Sequence, residues 1–173
     1  GVYIVNYDGE TPGTLKLEDN QADNVRFSYN ENGDWVSDYD VFYKDNDTKV
    51  DFYGYYPYAD PTSIEAYPFE VAKDQSKAAE HGQMAAYEAS DFLWAKAENI
   101  APTEGKIKVT LDHKMAGAHI KLTEGTGFQE GEFALIEKYV SAMGTTRKAA
   151  INMATGKVTP VGGAQSDGIQ MCP

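Results

Sequence analysis

A single cysteine, Cys172, excludes an internal disulfide, and its place next to last excludes an N-terminal lipid-attachment cysteine. Scarce cysteine fits the cytosol or a bacterial surface that is not disulfide-stabilised, so it leaves the compartment open. Positive charge is also short: 15 Lys and Arg stand against 27 Asp and Glu, a formal net charge of −12. Such a surface repels phosphate backbones and anionic headgroups, which excludes nucleic-acid binding and polybasic membrane binding. No apolar run approaches the ~18 residues of a membrane span. Catalytic signatures are missing as well: there is no Gly-Xaa-Ser-Xaa-Gly elbow, phosphate loop or dinucleotide fingerprint, and the lone cysteine has no partner that would make it a nucleophile. The sequence therefore points to no enzyme and to no cofactor.

What is present is apolar, aromatic and punctuated. Hydrophobic residues make up 42% of the chain, enough for a real core, and twelve tyrosines lead the aromatic set. Tyr and Phe suit half-buried pleated surfaces, and sixteen Gly with seven Pro, mostly between apolar stretches, imply many turns. An all-β chain is the first expectation. Val2–Tyr7 reads as a strand closed by Asp8-Gly9, and Val25–Tyr29 alternates with period two. Asp40–Tyr43 reads as a short strand. In Val50–Tyr58, Val50, Phe52, Gly54 and Tyr56 share one face and Tyr53 and Tyr55 the other, with Pro57 ending the strand. Tyr67–Val71 is a further strand. Ser76–Ala89 is a loop with room for a helical turn, because Gly82 interrupts its helix-forming residues.

Lys106–Leu122 carries the clearest alternation. Ile107, Val109, Leu111, His113 and Met115 share one parity, while Ala118, Ile120 and Leu122 share the other. The switch at Ala116-Gly117 fits a β-bulge or a strand passing between two packing environments, and it marks a domain junction. Glu132–Met143 fits helix or strand equally. Lys148–Met153 followed by Lys157–Thr159 reads as strand, tight turn, strand.

Several segments taken in order resemble the fimbrillin-like family of Bacteroides-type Gram-negative bacteria: Val2–Gly9, Asp51–Tyr58, Asp74-Gln75-Ser76, Ser90–Ala95, Asp112–Met115 and Asn152–Gly156. The resemblance runs from about the first residue to the last, with Ser76–Ala89 and Gly125–Ala134 matching poorly. It implies transthyretin-like, Ig-like β-sandwich domains: an N-terminal one over 1–116 and an incomplete second one over 117–173. It further implies a pilus or surface-adhesin subunit, exported as a lipoprotein to the outer membrane, whose partners are other fimbrial subunits joined by strand addition. Membrane attachment would come only through a lipid anchor absent from this chain. Since the chain opens on Val2–Val5 and closes within Ile169–Met171, a leader, a first strand and later strands are expected outside these residues.

Two candidate surfaces follow. Val2, Tyr3, Ile4 and Val5 form an apolar strand suited either to exchange between subunits or to an ordinary place in a sheet. Tyr53, Tyr55 and Tyr58, with Trp35, Tyr56 and Trp94, offer an alternative function as a glycan-binding surface module, since exposed planar rings stack on sugars; core packing accounts for most of them more simply. A host protein or glycan is the corresponding partner. Among His81, His113 and His119, His113 falls on the apolar parity and reads as a buried core histidine, not a metal ligand. Asp38, Asp40, Asp45, Asp47 and Asp51 read as turn and surface residues. Asp45-Asn46-Asp47 lacks the glycine and distant glutamate of a calcium loop.

Overall fold

The computed structural model describes residues 1–80, 83–164 and 168–172. Its centre is a five-stranded antiparallel sheet built from β1 (Val2–Asn6), β2 (Ala22–Val25), β5 (Val50–Tyr56), β7 (Leu93–Ile100) and β8 (Asp112–His113), in the order β2-β1-β5-β7-β8. A three-stranded sheet of β11 (Lys157–Pro160), β10 (Lys148–Asn152) and β6 (Tyr67–Glu70), with β10 in the middle, packs against one face. A hairpin of β3 (Phe27–Tyr29) and β4 (Trp35–Ser37) and the short pair β9 (Ser141–Ala142) and β12 (Ile169–Gln170) complete the strands. The one-turn helices α1 (Ala86–Ala89) and α2 (Glu132–Leu135) carry no buried residue.

Alternation along β1 and β5 dictates this arrangement. Tyr3 lies opposite Tyr53, and Ile4 lies opposite Phe52, so successive residues go to opposite faces of the sheet. Tyr3, Val5, Tyr53 and Tyr55 enter the space between the two sheets, where Ile151 and Met153 meet them and Tyr67 and Phe69 pack alongside. Phe92 is the hub of that space. It is fully buried, stacked on Tyr55 at 6.1 Å, and 5.2 Å from Phe69 in an edge-on contact. Burying one such side chain is worth about 1.5–3 kcal/mol. On the other face, Ile4, Ala22, Val25 and Val50 form a second cluster, covered by Phe27, Val41 and Tyr43. The five-stranded sheet is thus apolar on both sides.

The all-β sandwich is as the sequence predicts; its division is not. The boundary expected at residue 116 is crossed by strand pairing, because β10 pairs with β6 and its Ile151 lies in the core with Tyr3 and Phe92. Residues 148–160 complete the sandwich begun by residues 1–116 and do not open a second one. Lys106–Leu122, expected as a long strand, pairs only at Asp112–His113. Val109 and Leu111 instead reach across the sheet to Gly54, where a Cβ would stand 3.9 and 3.8 Å from them. The short strand expected at Asp40–Tyr43 is irregular chain, held by its side chains: Val41 and Tyr43 pack on the second cluster, and Gln21 Nε2 donates to the Phe42 carbonyl at 2.8 Å.

Candidate functional site

The first candidate, Val2–Val5, lies in β1 between β2 and β5. Both of its edges are hydrogen-bonded, and Tyr3, Ile4 and Val5 are buried. Burial pushes the Tyr3 hydroxyl up to about 12, with the nearby Asp23 charge adding to the effect. A sheet offers new pairing only at its edges, so β1 exposes none of its own. The unpaired backbone lies elsewhere. β7 has eight residues, yet β8 pairs with it only at Leu93 and Trp94. Along Ala95–Ile100, β5 is the only strand partner among the described residues.

The second candidate does not form a platform. Tyr53 and Tyr55 are buried; Tyr58 is exposed, with Arg26 lying 5.5 Å from its ring centroid, and so is Trp35, on the separate β3–β4 hairpin. Alternation places Tyr53 and Tyr55 on the inner face, where the Tyr55 hydroxyl donates to the Ala59 carbonyl at 2.6 Å. Desolvation raises its pKa above the ordinary range. These two rings cannot stack on a sugar. Trp94 also serves structure: its Nε1–H donates to the Met153 carbonyl at 2.7 Å, and Lys114 Nζ lies 4.9 Å from its ring.

His113 corrects another expectation. It is exposed, and its Nδ1 lies 2.7 Å from an Asp91 carboxylate oxygen. At the sheet's edge, the parity that would have turned it inward finds no opposing layer. His119 is exposed, and His81 lies outside the described residues. Among the described residues no group of three or more His, Cys, Asp or Glu is placed to hold a metal ion.

The acidic turns are built from their own side chains. Asp45 accepts from the Asp47 amide at 3.0 Å and the Thr48 hydroxyl at 2.7 Å, and the Thr48 bonds hold its carboxyl below the usual range. Asp74 does the same with Ser76, at 3.0 Å to the amide and 2.6 Å to the hydroxyl. That turn sets Asp74-Gln75-Ser76 beside β12: the Gln75 amide donates to the Gln170 carbonyl and the Gln170 amide to the Lys73 carbonyl. These residues, which carry part of the family resemblance, hold the chain in place.

Asp51, expected at the surface, is 1% exposed. It sits opposite a bulge in β7, where the register shifts between Val50 and Phe52 and Asn99 adopts a φ of 57°. Its Oδ1 accepts the Asn99 amide at 2.9 Å, and its Oδ2 lies 3.4 Å from Lys96 Nζ. Burial alone would lower the Lys96 ammonium, but hydrogen bonds to Glu98 and Tyr53 and the Asp51 charge outweigh it and raise its pKa. The signal was available: a carboxylate inside an apolar strand, sharing the parity of Tyr53 and Tyr55. Asp51→Ala strands the bulge amide and the half-buried ammonium, and is expected to cost about 3 kcal/mol in urea denaturation. Asp51→Asn keeps an acceptor for Asn99 and should lose less. A loss for Asp51→Ala no larger than that for the exposed Asp38→Ala would remove Asp51 from this account of β7.

The fold defines an all-β sandwich protein built from antiparallel sheets. Residues 1–171 match the fimbrillin-like family model, and the chain belongs to that family. The family is one of structural subunits and not of enzymes, which makes this chain a fimbrial subunit of the cell surface. Searches of curated proteins and of solved structures returned no match. No helix among the described residues is long and apolar enough to cross a membrane.

Proposed function

We propose that this fimbrial subunit joins its neighbours by β-strand addition, a strand of one subunit pairing along β7 of the next. The observation that carries the reading is the unequal length of β7 and β8: eight residues against two. An incoming strand would satisfy the backbone groups along Ala95–Ile100 and lay alternate side chains near the exposed Val109 and Leu111. Val2–Val5 can act as an exchanged strand only by leaving its place between β2 and β5, exposing Tyr3, Ile4 and Val5 to water. Export as an outer-membrane lipoprotein belongs to the same reading.

The test is the oligomeric state of the purified protein before and after limited proteolysis, read on unboiled denaturing gels. Ladders that resist SDS are expected after trimming. A protein that remains monomeric under every such treatment contradicts strand addition and leaves the family membership untouched.

A further inference from the structure

The β7 edge has a neighbour in its own chain. β8 joins it with Leu93 opposite His113 and Trp94 opposite Asp112, and the Lys114 amide donates to the Phe92 carbonyl at 2.8 Å. Carried back along the chain, that register sets Ala95 against Leu111, Lys96 against Thr110 and Ala97 against Val109. Residues 101–105 alone then separate the two strands, a length that closes hairpins. Within them the Gly105 amide donates to the Thr103 hydroxyl at 3.0 Å. Since Phe92 and Lys114 form a hydrogen-bonded pair, Trp94 and Lys96 turn their backbone groups toward this edge, and Ala95 and Ala97 turn theirs toward β5.

Side chains favour the same register. Gly54 pairs with Ala95, so alternation puts Ala95 and Ala97 on the face of the sheet that carries Gly54. These small residues leave a trough there. Leu111 and Val109 lie over it, 3.8 and 3.9 Å from where a Gly54 Cβ would stand. Ile107, of the same parity, is half-buried, while Lys106, Lys108 and Thr110 are exposed. A slip of one residue would turn the apolar set to the other face. The bulge at Asn99, with its φ of 57°, ends regular pairing beyond Ala97.

We propose that residues 106–111 form a strap that closes along β7 in this register and guards the edge, so that an incoming strand must displace it over Ala95–Ala97. The guarding role rests on the strand-addition reading; the closure does not. A strap tethered by a short loop meets β7 at an effective concentration on the order of millimolar, which holds free subunits apart until a donor strand displaces it.

Hydrogen exchange of the intact chain, followed by NMR, reads the closure. The Lys96 and Thr110 amides should exchange about tenfold more slowly than the Val109 and Leu111 amides, which point away from β7. In a Cys172→Ser background, Ala97→Cys with Val109→Cys should form an intramolecular disulfide with oxidised glutathione. A non-hydrogen-bonded pair brings its Cα atoms to about 4.5 Å, within disulfide reach. Ala97→Cys with Thr110→Cys, facing opposite sides, should not cross-link. The locked chain should give no SDS-resistant ladders under the trimming that produces them from its reduced form. Equal exchange across Val109–Leu111 overturns the proposal, whatever the cross-link shows, and leaves strand addition to its own test. Equal ladders from locked and reduced chains overturn it too. Ladders from neither contradict strand addition, and the guard with it, while the amides still decide closure.

Discussion

Phe92→Ala is expected to be the most destabilising single truncation in the chain, costing about 3–5 kcal/mol. The ring is fully buried and touches both layers: Tyr55 from the five-stranded sheet, and Tyr67 and Phe69 from β6, at 6.1, 6.0 and 5.2 Å between centroids. Alanine would leave a cavity bounded by three rings that cannot all move in, because Tyr55 is tied to Ala59 through its hydroxyl and Tyr67 is fixed by pairing with Ile151. A domain of this kind has about 5–15 kcal/mol in total, so a visible unfolded fraction is expected without denaturant near physiological temperature. Phe128→Ala is the control. That ring also makes an edge-on contact, with Phe133 at 5.4 Å, but it lies on exposed chain and should shift the urea midpoint little. Equal shifts for the two variants would mean that Phe92 is not the hub of the sandwich.

Gly156→Ala is expected to cost about 2–4 kcal/mol, from two sources that can be separated. Gly156 closes the β10–β11 hairpin at a φ of 66°, where any side chain is strained. A Cβ there would also stand 2.6 Å from Cδ2 and 2.9 Å from Cζ3 of Trp94. The hairpin is clamped to this indole, whose Nε1–H reaches the Met153 carbonyl, so neither group can withdraw without losing the hydrogen bond. Gly162→Ala isolates the backbone cost, since its φ is 80° and nothing lies within 4 Å of its Cβ. It should lose only about 1 kcal/mol. In the Trp94→Ala background Gly156→Ala should fall to that smaller loss, a coupling readable as a double-mutant cycle in urea denaturation. Losses that simply add would show that the hairpin does not rest on Trp94.

The same pair shows where sequence reasoning stops. The strand–turn–strand pattern around Ala154-Thr155-Gly156 was legible, and so were the two faces of β5, because period-two alternation is a local property of the chain. That the hairpin belongs to the first sandwich was not legible: it depends on β10 finding β6 across most of the chain's length, which no local pattern encodes. Without that pairing in view, the parity switch at Gly117 has the pattern of a domain junction. His113 failed for a related reason, since alternation says which side chains share a face but not whether another layer covers it. Asp51 was hidden among five aspartates of similar spacing, four of them on exposed turns, and the bulge that turns the Asn99 amide toward it is not written in local pattern. Of the candidate surfaces, the aromatic set was legible as a set and not by member: alternation put Tyr53 and Tyr55 inside and left Trp35 outside.

The central claim is that this chain is a structural subunit of a fimbria, and immunogold electron microscopy of fimbriae sheared from producing cells tests it most directly. Antibody against the folded chain is expected to label the fibres, in repeats along the shaft or at one end. Label confined to cell bodies and soluble material, with every fibre bare, would contradict it.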